Sequence, residues 1–168
     1  MGTKRVGLAR TQALLQNLKR ELTMGGATLT GQKARFLLKT ANYTVTAEDS
    51  GAFIQVNPAA TTLIQLPAAA TVGAGWTCTV ILNEDDGGTL DQIVNIGTAS
   101  GEFFNGLIIG GDGGGAVVAN GTSHDFINCS VSATSGERFD FVSDGTRMHC
   151  TGVVIDVTDT LFATSAAA

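Results

Sequence analysis

Between Tyr43 and Leu82 the apolar positions fall into three short runs, Phe53–Val56, Leu63–Leu66 and Trp76–Leu82. Ser50-Gly51, Asn57-Pro58 and Gly73-Ala74-Gly75 separate them, and runs of this length between turn formers predict strands. A fourth pattern, Gly106 to Val118, reads as a hairpin in which two apolar triplets flank a glycine-rich turn. A fifth, Glu137 to Asp156, alternates through Phe139 and Phe141, turns at Asp144-Gly145 and resumes in a second apolar run, a strong hairpin signal. The expected fold class is therefore all-β: an antiparallel β-sandwich, jelly-roll-like, or a small barrel. The tail beyond Phe162, made of small residues, is expected to lie at the surface.

The period changes at the N-terminus. Leu8, Leu15, Leu18 and Leu22 fall on one stripe, with Val6 and Leu14 beside it and Thr11 as a gap, a short heptad-like seam. A helix of about 16–18 residues is marginal alone in water, so the seam implies support from other copies, from the β-domain or from a larger surface. Met24-Gly25-Gly26 supplies the stop. Residues 27–40 then read as an extended basic arm. The expected organisation is a helix and arm at 1–40, for anchoring and oligomerisation, and an acidic β-domain at 41–168.

Charge sharpens this division. Residues 1–39 carry eight basic side chains against the single acid Glu21, whereas residues 40–168 carry two against fourteen acids. The net charge of −5 is the sum of a strongly basic segment and a strongly acidic one. A basic arm without aromatic interleaving or a reading motif, attached to an acidic body, points to an acidic protein surface rather than to nucleic acid. No run approaches the roughly 18–20 apolar residues of a membrane span, and no signal-peptide core is visible, so a soluble protein without a membrane partner is expected. Cys78, Cys129 and Cys150 are odd in number and show no ligand spacing, so they read as buried hydrophobes in a reducing compartment; no metal or other cofactor is expected.

Candidate chemistry is sparse. No charged residue and no histidine occurs between Asp49 and Glu84. Asn83–Gly88 is acidic but lacks the alternating spacing of a calcium loop, and reads as a solvated hairpin end. Gly106–Val118 resembles a phosphate loop only in its glycines, without the Gly-Lys-Ser/Thr or the following helix. Ser123-His124-Asp125 has the composition of a hydrolase triad, but triad partners meet from separate elements, and His149 lies in an apolar run. The chain reads as a non-enzyme. Arg138 is expected either to pair with an acid at a subunit contact or to be exposed.

Tyr43–Gly51, Val56-Asn57, Leu66–Gly75 and Glu137–Gly152 together resemble a β-domain common in bacteriophage virion proteins, both tail-fibre and head-decoration, with Met148 where such domains often carry Trp. The opening Gly2–Leu22 resembles the start of small structural proteins of phages of marine bacteria. The resemblance implies a capsid decoration (cement) protein on the outer surface of the virion, assembled in the host cytoplasm. Lys4, Arg5, Arg10, Lys19 and Arg20 would dock on acidic patches of the major capsid protein. Leu8, Leu15, Leu18 and Leu22 would join copies into a homotrimer. The alternative is a short tail-fibre or knob module that binds a host receptor, although residues 25–42 leave little room for a shaft.

Overall fold

A computed structural model describes residues 34–85, 88–111 and 115–167, together with residues 11–13 and 16, whose backbone is helical. The rest of the expected N-terminal helix lies outside the described residues. The chain divides into two compact units between Lys33 and Ala34, and the account below concerns the second.

The described part of this unit is built of strands: β1 (Phe36–Lys39), β2 (Tyr43–Thr44), β3 (Ala52–Val56), β4 (Thr62–Gln65), β5 (Ala74–Leu82), β6 (Val94–Gly97), β7 (Phe104–Gly110), β8 (Ala116–Asn120), β9 (Phe126–Cys129), β10 (Arg138–Asp144), β11 (Met148–Val154) and β12 (Thr160–Ala163). A 3-10 turn at Ala47–Asp49 and one helical turn, α1 (Ala69–Val72), interrupt them. The strands form a seven-stranded sheet, β1-β3-β5-β10-β11-β7-β8, and a five-stranded sheet, β12-β9-β6-β4-β2. The all-β expectation holds, and the strands at 53–56, 63–66 and 76–82 stand within a residue or two of the apolar runs that predicted them.

The sheets are mixed, which corrects the antiparallel expectation. From β1 to β6 consecutive strands alternate between the sheets, so strands two apart in sequence become neighbours, and β1-β3-β5 and β2-β4-β6 pair in parallel. The cause lies in the connections. Ser50-Gly51 and Asn57-Pro58 carry the chain across to the other sheet instead of folding it back beside the strand just made. Asn83–Gly88 likewise leads from β5 to β6 in the other sheet and is not a hairpin end. The two hairpins read from sequence are present: β7 pairs antiparallel with β8, and β10 with β11.

The unit also begins earlier than the composition boundary at residue 40. Phe36–Lys39, part of the expected arm, is a strand paired in parallel with β3. Its apolar Phe-Leu-Leu run outweighs the basic residues around it.

Alternation places Ile54, Val56, Val80, Leu82, Phe139 and Phe141 of the larger sheet and Ile64, Val94, Ile96 and Ile127 of the smaller one in one buried cluster. Phe104 joins the two sheets, its ring centroid 5.8 Å from Phe141 and 5.9 Å from Phe162. Side chains of this size each withdraw about 1.5–3 kcal/mol of apolar surface from water, so the cluster is the main source of stability.

The tail lies at the surface, as expected, but it is tied down there. Asn95, buried at 2% exposure, donates from Nδ2 to the Ala167 carbonyl (3.1 Å) and accepts from the Ala167 N–H (2.9 Å), while Asn128 donates to the Ser165 carbonyl at 3.0 Å. Composition hid this because the asparagines that hold the tail are distant in sequence. Removing residues 164–168 strands the Asn95 amide, and a loss of about 1–3 kcal/mol in denaturant unfolding is expected. Unchanged stability would mean that the tail contacts carry no energy.

Candidate functional site

The residues expected to bind a capsid, Lys4, Arg5, Arg10, Lys19 and Arg20, and the expected oligomerisation residues, Leu8, Leu15, Leu18 and Leu22, lie outside the described residues. What the structure does place is the chemistry of the acidic unit.

Two buried carboxylates organise its polar framework. Asp49, 1% exposed, accepts at Oδ2 from the Tyr43 hydroxyl (2.8 Å), the Thr46 N–H (2.9 Å) and the Thr46 hydroxyl (3.1 Å). Its Oδ1 meets Arg35 Nη1 at 2.7 Å. Burial pushes the Asp49 carboxyl up, but the bonds from Thr46 and Tyr43 and the Arg35 charge outweigh it, and the net shift is downward. Lys39 lies 3.5 Å above the Tyr43 ring. Arg35 and Lys39, read from sequence as part of a free basic arm, are thus bound to the β-unit. The Thr-x-x-Asp spacing at 46–49, a capping box, was the available signal.

Glu137, 3% exposed, is the second. Its Oε1 accepts from the N–H groups of Thr134 (3.2 Å) and Ile155 (3.1 Å), and its Oε2 from the Thr160 hydroxyl (2.9 Å). Burial raises its pKa, only partly offset by these bonds.

The histidines fall into separate surroundings. Ser123 Oγ and His124 Nδ1 are 3.3 Å apart as chain neighbours, and the imidazole lies beside Phe162 at 6.1 Å between centroids. Among the described residues no carboxylate is bonded to His124, so the orienting partner that a triad requires is not in place. His149 Nε2 instead lies 2.8 Å from Asp144 Oδ2 across the β10–β11 hairpin. That bond, with the N–H groups of Arg147 and Thr146, holds the Asp144 carboxyl down at about 2. The three cysteines are buried and free of disulfides, and burial drives their thiols well above the ordinary range, away from thiolate chemistry.

Carboxylates gather at one end of the unit. Glu84, Asp85 and Asp91 line an open concavity of 330 Å³ with Asn57 and Thr40, and Asn57 Nδ2 donates to Asp85 Oδ1 at 2.6 Å. Among the described residues no group of His, Cys, Asp and Glu is arranged to hold a metal ion, and no helix is long and apolar enough to cross a membrane.

The outward face of the seven-stranded sheet differs from the rest of this acidic unit. Phe36, Leu38, Val153 and Val118 are 58–62% exposed there. The charges on it are paired within the chain. Arg138 donates from Nε to both oxygens of Asp140 (3.1 Å each) and from Nη2 to Oδ1 (2.8 Å), and lies 5.7 Å from the Phe53 centroid. Asp140 also accepts from the Thr79 hydroxyl at 2.6 Å.

Comparison of the chain with protein-family models, with curated proteins and with solved structures finds no match.

Proposed function

We propose that this chain is a structural virion protein that decorates and cements a phage capsid. The observation that carries the reading is the separation of charge: a basic, leucine-striped segment joined to an acidic β-unit with its own core. The sequence resemblance to phage virion β-domains favours the same class. In this reading the two sheets are the layers of a jelly-roll-like sandwich that faces outward. Lys4, Arg5, Arg10, Lys19 and Arg20 meet acidic patches of the major capsid protein, and Leu8, Leu15, Leu18 and Leu22 gather copies into a trimer. Because such a protein binds the assembled shell and not its separated subunits, it stabilises the shell by mass action.

Deleting residues 1–24 is expected to abolish co-sedimentation with capsids of the cognate phage while the β-unit keeps its cooperative melt. Binding of the intact chain is expected to weaken as salt rises from about 0.05 to about 0.5 M, because the docking contacts proposed are between opposite charges. A truncated protein that still binds the shell overturns the role of the basic segment. Binding of the intact chain to tails and not to heads replaces decoration with receptor-directed attachment.

A further inference from the structure

We infer that the outward face of the seven-stranded sheet is a contact surface for a second copy of this chain, arranged about a twofold axis. Phe36, Leu38, Ile109, Val118, Val142 and Val153 are 44–62% exposed on it. Together they leave on the order of 500 Å² of apolar surface, in one group on β1 and another across β10, β11, β7 and β8, a size at which monomer patches are often functional. That is over half of the roughly 800 Å² that each partner contributes to a standard stable interface.

Charge selects the partner. The unit from residue 34 to 168 carries fourteen acids against four bases, so two copies repel across most of their surfaces. This face is less charged at its centre, where Arg138 and Asp140 neutralise one another; Asp144 is bonded to His149, which cancels its charge only when the imidazole is protonated. A second copy therefore meets a largely apolar surface with a charge-balanced centre like its own.

The register completes the argument. β10 is the fourth of seven strands, so Arg138 and Asp140 stand at the centre of the sheet, two residues apart and on the same side. A twofold axis lying in the interface and crossing β10 at right angles beside Phe139 sets each Arg138 against the second copy's Asp140. The strand pairings put Leu38 in the row of Arg138 and Phe36 in the row of Asp140. On the other side, Ile109 shares the row of Arg138 and Leu107 that of Asp140. The same rotation therefore lays Leu38 on Phe36 and Ile109 on Leu107, apolar on apolar at both flanks of an ion-paired centre. Self-complementarity of this kind is what a twofold interface requires. This contact is separate from the trimer proposed for the leucine segment, so the pairing is read as the change in mass that the β10 variants produce, and the inference holds whether or not the chain decorates a capsid.

Sedimentation velocity of the full chain over a range of concentrations tests it. Arg138→Asp alone and Asp140→Arg alone each place like charges across the axis, and each is expected to weaken pairing by about a hundredfold or more. Mixed in equal amounts, the two variants present opposite charges at every central contact and are expected to recover the wild-type mass. Leu38→Lys, a change at an exposed position, is expected to dissociate the pair while leaving the circular dichroism spectrum unchanged and removing the concentration dependence of the thermal midpoint. The inference is overturned if the wild type shows no pairing through this face, if the single variants sediment like the wild type, or if the mixture stays dissociated.

Discussion

Replacing Gly106 by alanine is expected to remove about 3 kcal/mol of stability and to lower the thermal midpoint by roughly 6–12 °C. Gly106 lies in β7, which pairs in parallel with β11 on one side and antiparallel with β8 on the other. A Cβ at this position would stand 1.9 Å from the Cys150 carbonyl oxygen and within 3 Å of the Cys150 carbonyl carbon and amide nitrogen. All three are backbone atoms of the adjoining strand, so no rotamer change relieves the overlap, and β7 must move away from β11. The displacement reaches the core, since Phe104 and Ile108 on the same strand are fully buried. Gly111→Ala serves as the control, because its nearest neighbour would be the Val154 carbonyl oxygen at an ordinary 3.6 Å. A Gly106→Ala protein that melts within about 2 °C of the wild type would refute the close approach.

Gly106 also marks what the sequence makes legible and what it does not. Its neighbourhood reads as a hairpin, and β7 and β8 do form one. Yet the reason for glycine at 106 lies across a parallel ladder, 44 residues away at Cys150, and a local pattern carries no trace of it. The same limit governs topology. Alternation identifies the faces of β3, β4 and β5, because period two is a property of one strand. It does not name the neighbouring strand, so the turns at Ser50-Gly51 and Asn57-Pro58 read as antiparallel returns when they are crossings between sheets. β6, β9 and β12, four residues each, were not named from the pattern, although β4 is no longer and was. Of the polar framework, the Thr46–Asp49 cap was within reach of a local motif. Of the partners of Glu137, Thr134 stands at the same Thr-x-x-acid spacing and was equally within reach, whereas Ile155 and Thr160 come from distant segments and were not. The outward face of the larger sheet was only half legible. Phe36 and Leu38 were visible as apolar residues, but their exposure depends on β1 joining the edge of a sheet whose inner side is already filled.

Glu137→Ala is expected to cost about 3 kcal/mol, whereas Glu137→Gln is expected to remain within about 1 kcal/mol of the wild type at neutral pH. Alanine leaves the Thr134 and Ile155 N–H groups and the Thr160 hydroxyl without the oxygens that now receive them. A concavity of 170 Å³ beside Glu137 is lined also by Ile155, whereas Thr160 is fully buried, so the orphaned hydroxyl carries the largest share of the cost. Glutamine keeps one oxygen for the two N–H groups, and its amide donates to the Thr160 hydroxyl, reversing that bond and freeing only the hydroxyl hydrogen. The pH dependence separates hydrogen bonding from charge. Burial holds the folded Glu137 pKa above its ordinary 4.5, so its contribution is fully present below that value and is lost as pH rises through the folded pKa. Asp49 and Asp140 act in the opposite sense. Although burial opposes it, their hydrogen bonds hold the folded pKa below 3.8, so their stabilisation is present above that value and lost as pH falls through the folded pKa. Denaturant unfolding of the wild type across pH 3–8 is therefore expected to show an acid decline from the aspartates and a second decline above about 4.5 from Glu137. The glutamine variant is expected to lose only the second. If it keeps that decline, another group produces it. An alanine variant as stable as the wild type would remove Glu137 from the framework that joins β10, β11 and β12.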